Sequence, residues 1–277
     1  MELSVVGAQI DIVALDPEAN LSTIGAVFAE IGPCDLVVLP ELSNIGQVRA
    51  RDRDFGRAYA AAATTVPGPF TDALGELAAR HSTHVVAGVA ERDHRVPGTI
   101  YNSAVVIAPS GDVVATQRKL HPAGEERHYF GTGDEIVVAR TDIGSIAVAL
   151  CYDVYFPEIP RTAALRGSTM LVGVFNVTHR TDWPARLTHL AAVRAYENMQ
   201  HVILVNRVGE NHGRRFGGGS AAARPPGMIC AEARELDRAL LRVRWDTDDV
   251  LTERAYRPVF ADRRPELYDL TSPRRVP

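Results

Sequence analysis

Apolar and polar positions alternate along this chain in short segments that predict strands and helices in turn. Residues 4–10 (SVVGAQI) predict a first strand, and the continuous apolar run 36–39 (LVVL) is typical of a buried one. Between them, Asp16-Pro17-Glu18 predicts a helix to about Glu30, because Asp caps a helix, proline fits its first turn and an acid suits its positive end. Further helices are predicted near 71–80, 157–166 and 183–199, and further strands at 84–90, 170–175 and 202–208.

Three hairpins are predicted where turn residues separate short apolar segments. They centre on 109–112 (Pro-Ser-Gly-Asp), 142–144 (Asp-Ile-Gly) and 225–227 (Pro-Pro-Gly). A single parallel sheet would show strict alternation of strands and helices, whereas here hairpins are mixed with crossover units. We therefore predict an α/β fold in which two mixed sheets pack face to face, with helices on both outer surfaces. No linker longer than a turn interrupts the pattern, so residues 1–277 are expected to form a single domain.

Composition narrows the class of protein. The chain has 277 residues, 46% of them hydrophobic, which is enough for a large core, and a net charge of −4 with no basic patch. A nucleic-acid partner is therefore not expected. No apolar run approaches the roughly 18 residues of a membrane span, and the acidic start MELSVVGAQID is unlike a secretory signal. Three widely spaced cysteines argue against a disulfide framework, so we expect a cytoplasmic protein,.

Three polar residues follow predicted strands and carry complementary chemistry. They are Glu41 after LVVL, Lys119 after the first hairpin and Cys151 after the second. A carboxylate, an ammonium and a thiol suffice for covalent acyl transfer. The carboxylate takes the thiol proton, the thiolate attacks a carbonyl or nitrile carbon, and the ammonium stabilises the charge that develops. The sequence by itself does not bring the three together in space.

Each of these residues also has an ordinary structural interpretation. Cys151 follows the apolar run IAVAL and is by default a small buried hydrophobe,. Its place at a sheet edge facing the next helix favours catalysis, since the amide of Tyr152 is a candidate oxyanion donor and the helix would stabilise a thiolate. Glu41 is either a desolvated base or a solvated loop acid. Lys119 alone would be taken as an exposed lysine.

The remaining candidates give weaker signals. Glu126 lies near Lys119 in a loop where Glu125 competes with it, and either acid can be a surface charge. Cys34 and Cys230 are interpreted as inert core thiols. His81 and His84 lie three residues apart, but no cysteine or acid completes a zinc spacing, so neither a metal nor another cofactor is expected,.

Taken together, these motifs resemble the nitrilase superfamily of carbon–nitrogen hydrolases along nearly the whole chain. The family has a strand that ends in Pro-Glu, a Lys-x-His pair followed by Glu, Phe and Gly, and a nucleophile motif Cys-Tyr-Asp-x-x-Phe-Pro-Glu. The matching residues here are Val38-Leu39-Pro40-Glu41; Lys119, His121, Glu126, Phe130 and Gly133; and Cys151 to Glu158. Three such motifs in the right order, with the right hairpins between them, are highly specific.

The resemblance implies a four-layer αββα sandwich that assembles into homodimers or larger homo-oligomers, with a C-terminal tail, about 256–277, at a subunit interface. It also implies that Glu41 is the general base, Cys151 the nucleophile and Lys119 the group that stabilises the tetrahedral intermediate. Glu126 would position the lysine and the substrate. Tyr152 and Asn176 are the expected substrate-binding residues, Asn176 because N-carbamoyl amino acid hydrolases have an asparagine there.

The substrate class follows from the residues around the nucleophile. Cys151-Tyr152-Asp153 looks like the amidase branches, whereas true nitrilases usually carry Cys-Trp-Glu. N-carbamoyl amino acid hydrolases have two carboxylate-binding arginines where this chain has Val154 and Tyr155. We therefore expect an amidase that hydrolyses a small linear carboxamide, neutral or amine-bearing, through a cysteine thioester. The alternatives are an N-carbamoyl amine amidohydrolase, a nitrilase, and a catalytically silent binding protein with the same fold.

Overall fold

The structure is a computed structural model that describes residues 1–182 and 185–268. Strands supply most of its elements, and three short 3-10 turns lie at Gly124–His128, Cys151–Tyr155 and Pro265–Leu267. The strands are β1 Glu2–Gln9, β2 Leu36–Val38, β3 His84–Arg92, β4 Ile100–Ile107, β5 Val113–Arg118, β6 Phe130–Gly131, β7 Val138–Thr141, β8 Gly144–Leu150, β9 Met170–Phe175, β10 His201–Asn206, β11 Glu210–Asn211, β12 Arg214–Arg215, β13 Ala221–Arg224, β14 Met228–Glu232 and β15 Ala239–Asp246. The helices are α1 Pro17–Ile31, α2 Arg53–Ala62, α3 Pro69–His81, α4 Glu158–Leu165, α5 Arg186–Asn198 and α6 Asp248–Tyr256.

Two mixed sheets form the centre of the molecule. The first has the strand order β15-β1-β2-β3-β4-β5, with β6 beside β4, and the second has the order β14-β13-β10-β9-β8-β7. In each sheet three neighbouring strands run parallel: β1, β2 and β3 in the first, and β8, β9 and β10 in the second. The outer strands pair antiparallel with their neighbours, and three of these pairs are the hairpins that the sequence predicts. The carboxyl ends of the parallel strands therefore present several loops to one region.

The layers follow from the alternation of side chains along the strands. One set of strand residues packs between the sheets, as Val38 and Val86 do against Val148 and Val172. The opposite face of the first sheet packs on α1 and α3, and that of the second sheet packs on α4 and α5. This arrangement confirms the predicted α/β fold, two sheets in a sandwich with helices on the outside.

Two helices of the described chain, α2 and α6, were not predicted. Helix α2 begins after Asp52, whose side chain accepts a hydrogen bond from the amide of Phe55 at 2.7 Å. Only Phe55 and Tyr59 of this helix are buried, so its apolar face is narrow and its sequence resembles a surface loop,. These two rings pack beside Phe130, next to the loop that carries Lys119.

Several expectations concern residues at the edge of the described chain. The predicted helix 183–199 starts at residues outside it, and its described part is α5. Residues 269–277 of the C-terminal tail, which was predicted to lie at a subunit interface over about 256–277, are also outside, and the interface stays a prediction. No helix in residues 1–182 or 185–268 is long and apolar enough to cross a membrane.

Candidate active site

The four predicted catalytic residues meet at the ends of the two sheets. Glu41 follows β2, Lys119 directly follows β5, and Cys151 directly follows β8 in the other sheet. Glu126 comes from the 3-10 turn after Lys119. All four are buried, with exposed fractions of 1% for Glu41 and Lys119, 4% for Glu126 and 8% for Cys151. The interpretations of Lys119 as an exposed lysine and of the two glutamates as surface acids are therefore wrong.

Backbone bonds to β3 position Glu41. Gly88 donates to the carbonyl of Pro40 at 3.1 Å and accepts from the amide of Ser43 at 2.7 Å, so the chain around Glu41 runs along this strand. The approach is so close that a Cβ on Gly88 would lie 2.4 Å from the Cα of Glu41. Only glycine fits at this position, and the carboxylate is held by backbone rather than by a mobile loop.

Lys119 lies between the two carboxylates. Its Nζ is 2.6 Å from Oε1 of Glu41 and 2.7 Å from Oε2 of Glu126. Asn102, on β4, donates from Nδ2 to Oε1 of Glu41 at 2.8 Å and to Oε1 of Glu126 at 3.2 Å. Both Lys119 and Asn102 therefore bridge the same pair of acids, and the three side chains fix one another.

The remaining carboxylate oxygen of Glu41 is available for chemistry. Its Oε2 is buried and has no hydrogen-bond partner among the described residues. Burial raises the pKa of Glu41 to about 7, and the nearby Glu126 adds to the rise, while the attraction of Lys119 opposes it. A buried carboxylate with a pKa near neutrality is suited to accept and return a proton.

For Lys119 the neighbouring charges, rather than burial, decide the direction in which the pKa moves. Burial acts to lower the pKa of Lys119, but the attraction of Glu41 and Glu126 outweighs it and holds the pKa well above its ordinary value. Lys119 is therefore a fixed positive charge rather than a proton carrier. Its backbone is held as well, since its amide donates to Asn102 at 2.8 Å and its carbonyl accepts from Gly133 at 2.8 Å.

Cys151 is a neutral thiol in this environment. Burial raises its pKa well above the ordinary value, the carboxylate of Glu41 adds to the rise, and Lys119 and the amide of Asn176 oppose it. The sequence led us to expect a helix that stabilises a thiolate, but Cys151 is followed by a single 3-10 turn and burial raises its pKa. The backbone at Cys151 has φ +49, a left-handed conformation that non-glycine residues rarely adopt and that occurs at functional sites,.

The two predicted substrate-binding residues lie on either side of the nucleophile. Asn176 directly follows β9; its amide faces Cys151, and its Nδ2 donates to Oε1 of Gln47 at 3.0 Å. Tyr152 is 37% exposed, and its ring packs edge-on against Phe156, with 5.1 Å between centroids. Asn176 is thus placed to line the site. For Tyr152 the substrate-binding role stays a prediction.

Asp153 joins the cysteine turn to the lysine loop. Its carboxylate is buried and accepts from the amides of Leu120 at 3.1 Å and His121 at 2.9 Å, and it contacts Nδ1 of His121 at 2.9 Å. Burial raises the pKa of Asp153 in spite of these bonds. The sequence analysis assigned no role to Asp153 or to Asn102. A signal was present, because each is a polar residue in an otherwise apolar stretch.

The other two cysteines differ from the prediction. Cys34 is half-buried, and Cys230 is exposed rather than part of the core, because it lies on β14, at the edge of the second sheet. Within the described residues, no group of three or more His, Cys, Asp or Glu side chains is placed to hold a metal ion.

Comparison with known proteins places this fold and site in a class. A protein from Pyrococcus abyssi named nitrilase is 32% identical over 262 residues, 92% of this chain and 94% of its own length. An (R)-stereoselective amidase from a Pseudomonas species is 31% identical over 253 residues, 90% of this chain and 87% of its own. The crystal structure of an amidase from a Nesterenkonia species matches with a TM-score of 0.77 and 25% identity, covering 96% of this chain and 94% of that one. The class is that of hydrolases acting on carbon–nitrogen bonds.

The family itself is also clear. Its sequence model, described as carbon-nitrogen hydrolase, matches residues 3–251. The chain therefore belongs to the carbon–nitrogen hydrolases of the nitrilase superfamily, as its motifs predict.

Proposed function

We propose that this protein is an amidase that hydrolyses a small linear carboxamide to a carboxylate and ammonia through a thioester on Cys151. The observation that carries the proposal is the buried cluster in which Lys119 is held by Glu41 and Glu126 while Oε2 of Glu41 keeps no partner among the described residues. Such a cluster offers a base, a fixed cation and a thiol to one reacting carbon.

The first step is attack on the amide carbonyl. The thiol of Cys151 is neutral at rest, so a base must remove its proton, and Glu41 has a pKa of about 7 that suits this task,. The sulfur then bonds to the carbonyl carbon, and the carbonyl oxygen gains the negative charge. The ammonium of Lys119 and the amide of Tyr152 stabilise that oxyanion.

The second step expels ammonia. The amide nitrogen leaves with its bonding electrons only if it gains a proton, and protonated Glu41 supplies the proton that it took from the thiol. The carbon–nitrogen bond breaks and a thioester remains on Cys151. Glu126 keeps Lys119 in place throughout, because its carboxylate holds Nζ whatever the protonation state of Glu41.

The third step returns the enzyme to its resting state. Glu41, again a carboxylate, takes a proton from a water molecule, whose oxygen attacks the thioester carbon. The second tetrahedral intermediate collapses, the carboxylate product leaves, and the sulfur regains its proton from Glu41. One base thus serves both halves of the reaction, and no oxidant or reductant is needed.

Trapping the acyl-enzyme tests this cycle. Ammonia release from short-chain amides should be abolished in Cys151→Ala, and intact-protein mass spectrometry of the wild type during turnover should show an acyl adduct on a peptide that contains Cys151. Exposed Cys230 provides the control, since Cys230→Ala should change neither readout. An adduct on Cys230, or turnover by Cys151→Ala, would contradict the mechanism.

The choice between amide and nitrile rests on the residues after the nucleophile. The relatives include both an amidase and a protein named nitrilase, but Cys151-Tyr152-Asp153 resembles the amidase sequences. A nitrile would give a planar thioimidate that must first gain water, whereas an amide gives a tetrahedral anion at once. Measuring kcat/KM for an amide and for the nitrile of the same carbon skeleton tests this choice, and a faster nitrile would overturn it.

A further inference from the structure

Asn176 lies where the two sheets bring the candidate catalytic residues together. It directly follows β9, which pairs in parallel with β8, the strand that ends just before Cys151. On the other side, the backbone amide of Glu41 donates to the carbonyl oxygen of Phe175 at 3.4 Å. Asn176 is therefore one residue beyond a contact with the chain of the base, at the strand end next to that of the nucleophile.

The carboxamide of Asn176 has one end paired and one end unpaired. Its Nδ2 donates to Oε1 of Gln47 at 3.0 Å. Its Oδ1 is buried and has no hydrogen-bond partner within residues 1–182 and 185–268, and the whole residue is only 5% exposed. An unpaired buried carbonyl oxygen is costly, and proteins seldom retain one unless a ligand or a water molecule supplies the donor.

Gln47 is held by the loop that follows the base. This loop, residues 42–48, turns at Gly46, whose φ is +72. The carbonyl oxygen of Gly46 accepts from the buried hydroxyl of Tyr59 at 2.7 Å, so the turn is fixed to helix α2. Gln47 comes directly after this fixed point and is half-buried. Its side-chain oxygen is therefore presented to Asn176 from an anchored backbone.

The bond to Gln47 decides which end of the Asn176 carboxamide remains for a ligand. Oxygen and nitrogen lie on opposite sides of the same carbon, so holding Nδ2 fixes the direction of Oδ1. An oxygen can bind only a donor. In the proposed reaction the substrate nitrogen carries N–H groups and lies on the side of Glu41, which protonates it, and the chain beside Asn176 is the one that carries Glu41.

We propose that Oδ1 of Asn176 accepts an N–H of the substrate amide and that Gln47 is the positioning residue that orients it. This inference rests on the proposed amidase function and deepens it, since the site then recognises a nitrogen that carries at least one hydrogen. It favours primary amides over esters of the same acyl group. Gln47 acts through Asn176 and does not touch the substrate.

Matched substrates test the contact made by Asn176. The short-chain amide that the wild type hydrolyses fastest is compared with its methyl ester, which keeps the acyl group and has no N–H. In Asn176→Leu, kcat/KM for the amide should fall by roughly 3- to 10-fold relative to the ester, the usual effect of losing one hydrogen bond between neutral groups. If the ester is not turned over, its inhibition constant serves as the reference and should not change.

Two variants of Gln47 test its positioning role, and because this residue is half-buried they serve even if Asn176→Leu fails to fold. Gln47→Glu can only accept, so it keeps Nδ2 of Asn176 in place and should preserve the amide-to-ester ratio. Gln47→Met removes the acceptor at similar length and should lower the ratio by roughly the same 3- to 10-fold. Combining Gln47→Met with Asn176→Leu should cost no more than Asn176→Leu alone, because both remove one contact.

Gln200→Met is the matched control. Gln200 is a fully buried glutamine whose side chain has no hydrogen-bond partner in the described part of the chain. It directly precedes β10, whereas the catalytic residues follow the carboxyl ends of the strands, so it lies at the opposite end of the second sheet. Its replacement should leave the amide-to-ester ratio unchanged.

Three outcomes would overturn the inference. If Asn176→Leu and Gln47→Met slow amide and ester equally, the oxygen binds only water and the substrate contact is wrong, while the amidase function stands. If Gln47→Glu loses the ratio as Gln47→Met does, the two carboxamides are oriented the other way and Asn176 presents its nitrogen. If the wild type hydrolyses no amide, the proposed function fails and this contact with it.

Discussion

The protonation of Glu41 can be measured through the stability of the fold. Replacing Glu41 by Gln keeps the shape of the side chain and the carbonyl oxygen that accepts from Lys119 at 2.6 Å, but it removes the titratable proton. The variant is best made in a Cys151→Ala background, in which the thiol does not contribute. We then ask how the difference in free energy of unfolding between Glu41→Gln and its parent changes with pH.

The sign follows from linkage. The pKa of Glu41 is raised by burial, from 4.5 to about 7, so the folded protein holds this proton more tightly than the unfolded chain,. The parent is then destabilised as pH rises from the lower value through the higher one, and Glu41→Gln is not. The full effect is about 3.4 kcal/mol, since one pKa unit is 1.36 kcal/mol, and about 2.5 kcal/mol of it falls between pH 5 and pH 9.

Urea unfolding at several pH values between these limits measures the effect. The stability of Glu41→Gln relative to its parent should rise by about 2.5 kcal/mol from pH 5 to pH 9. The pH-independent cost of an amide at this position cancels in that comparison. Glu76→Gln, at an exposed glutamate on α3, is made in the same background and measured in parallel as the control for a Glu-to-Gln change far from the site.

A relative stability that stays flat or falls with pH would refute the reasoning. It would mean that the attraction of Lys119 overcomes the burial of Glu41, so that the carboxylate is ionised well below neutrality. The site would then hold a permanent ion pair, and the base that activates Cys151 would have to be sought elsewhere.

Three other perturbations address the remaining parts of the site. Lys119→Ala should lower kcat by a factor of roughly 100 to 1,000, the usual loss when one oxyanion donor is removed, and near-normal turnover would show that the lysine does not contact the oxyanion. Asp153→Asn keeps one acceptor for the amides of Leu120 and His121 but loses the other. The free energy of unfolding in urea should therefore fall by about 1–3 kcal/mol, and kcat should fall more than KM changes. An unchanged kcat would limit Asp153 to a structural role. Gly88→Ala puts a Cβ 2.4 Å from the Cα of Glu41. It should therefore destabilise the fold by about 1–3 kcal/mol and reduce turnover. An active, fully stable variant would contradict the close contact.

The fold could be predicted well because its signals are local. Strands such as β9, Met170–Phe175, are short apolar runs bounded by polar residues, and the hairpin at Pro225-Pro226-Gly227 is marked by its turn residues,. Helix α2 was not predicted, because only two of its side chains are buried and its apolar pattern is weak. Local pattern therefore predicts an element when the element buries a broad face, and fails when it buries a narrow one.

The site could be predicted only in part for a related reason. Glu41, Lys119 and Cys151 each follow a strand, and strand ends are recognisable in a sequence. That the three are buried together depends on how two sheets pack, which no local pattern encodes. The elevated pKa of Cys151 is one consequence, since it arises from burial and from a carboxylate on the opposite sheet.

The distribution of charge in the site gives the proposed substrate one orientation. Inside, two carboxylates share the single ammonium of Lys119, so the interior carries an excess of negative charge whenever Glu41 is ionised. An anionic group would be repelled there, while a neutral amide would not. A molecule with an amide at one end and a carboxylate at the other should therefore enter with the amide first, which brings its carbonyl carbon to Cys151.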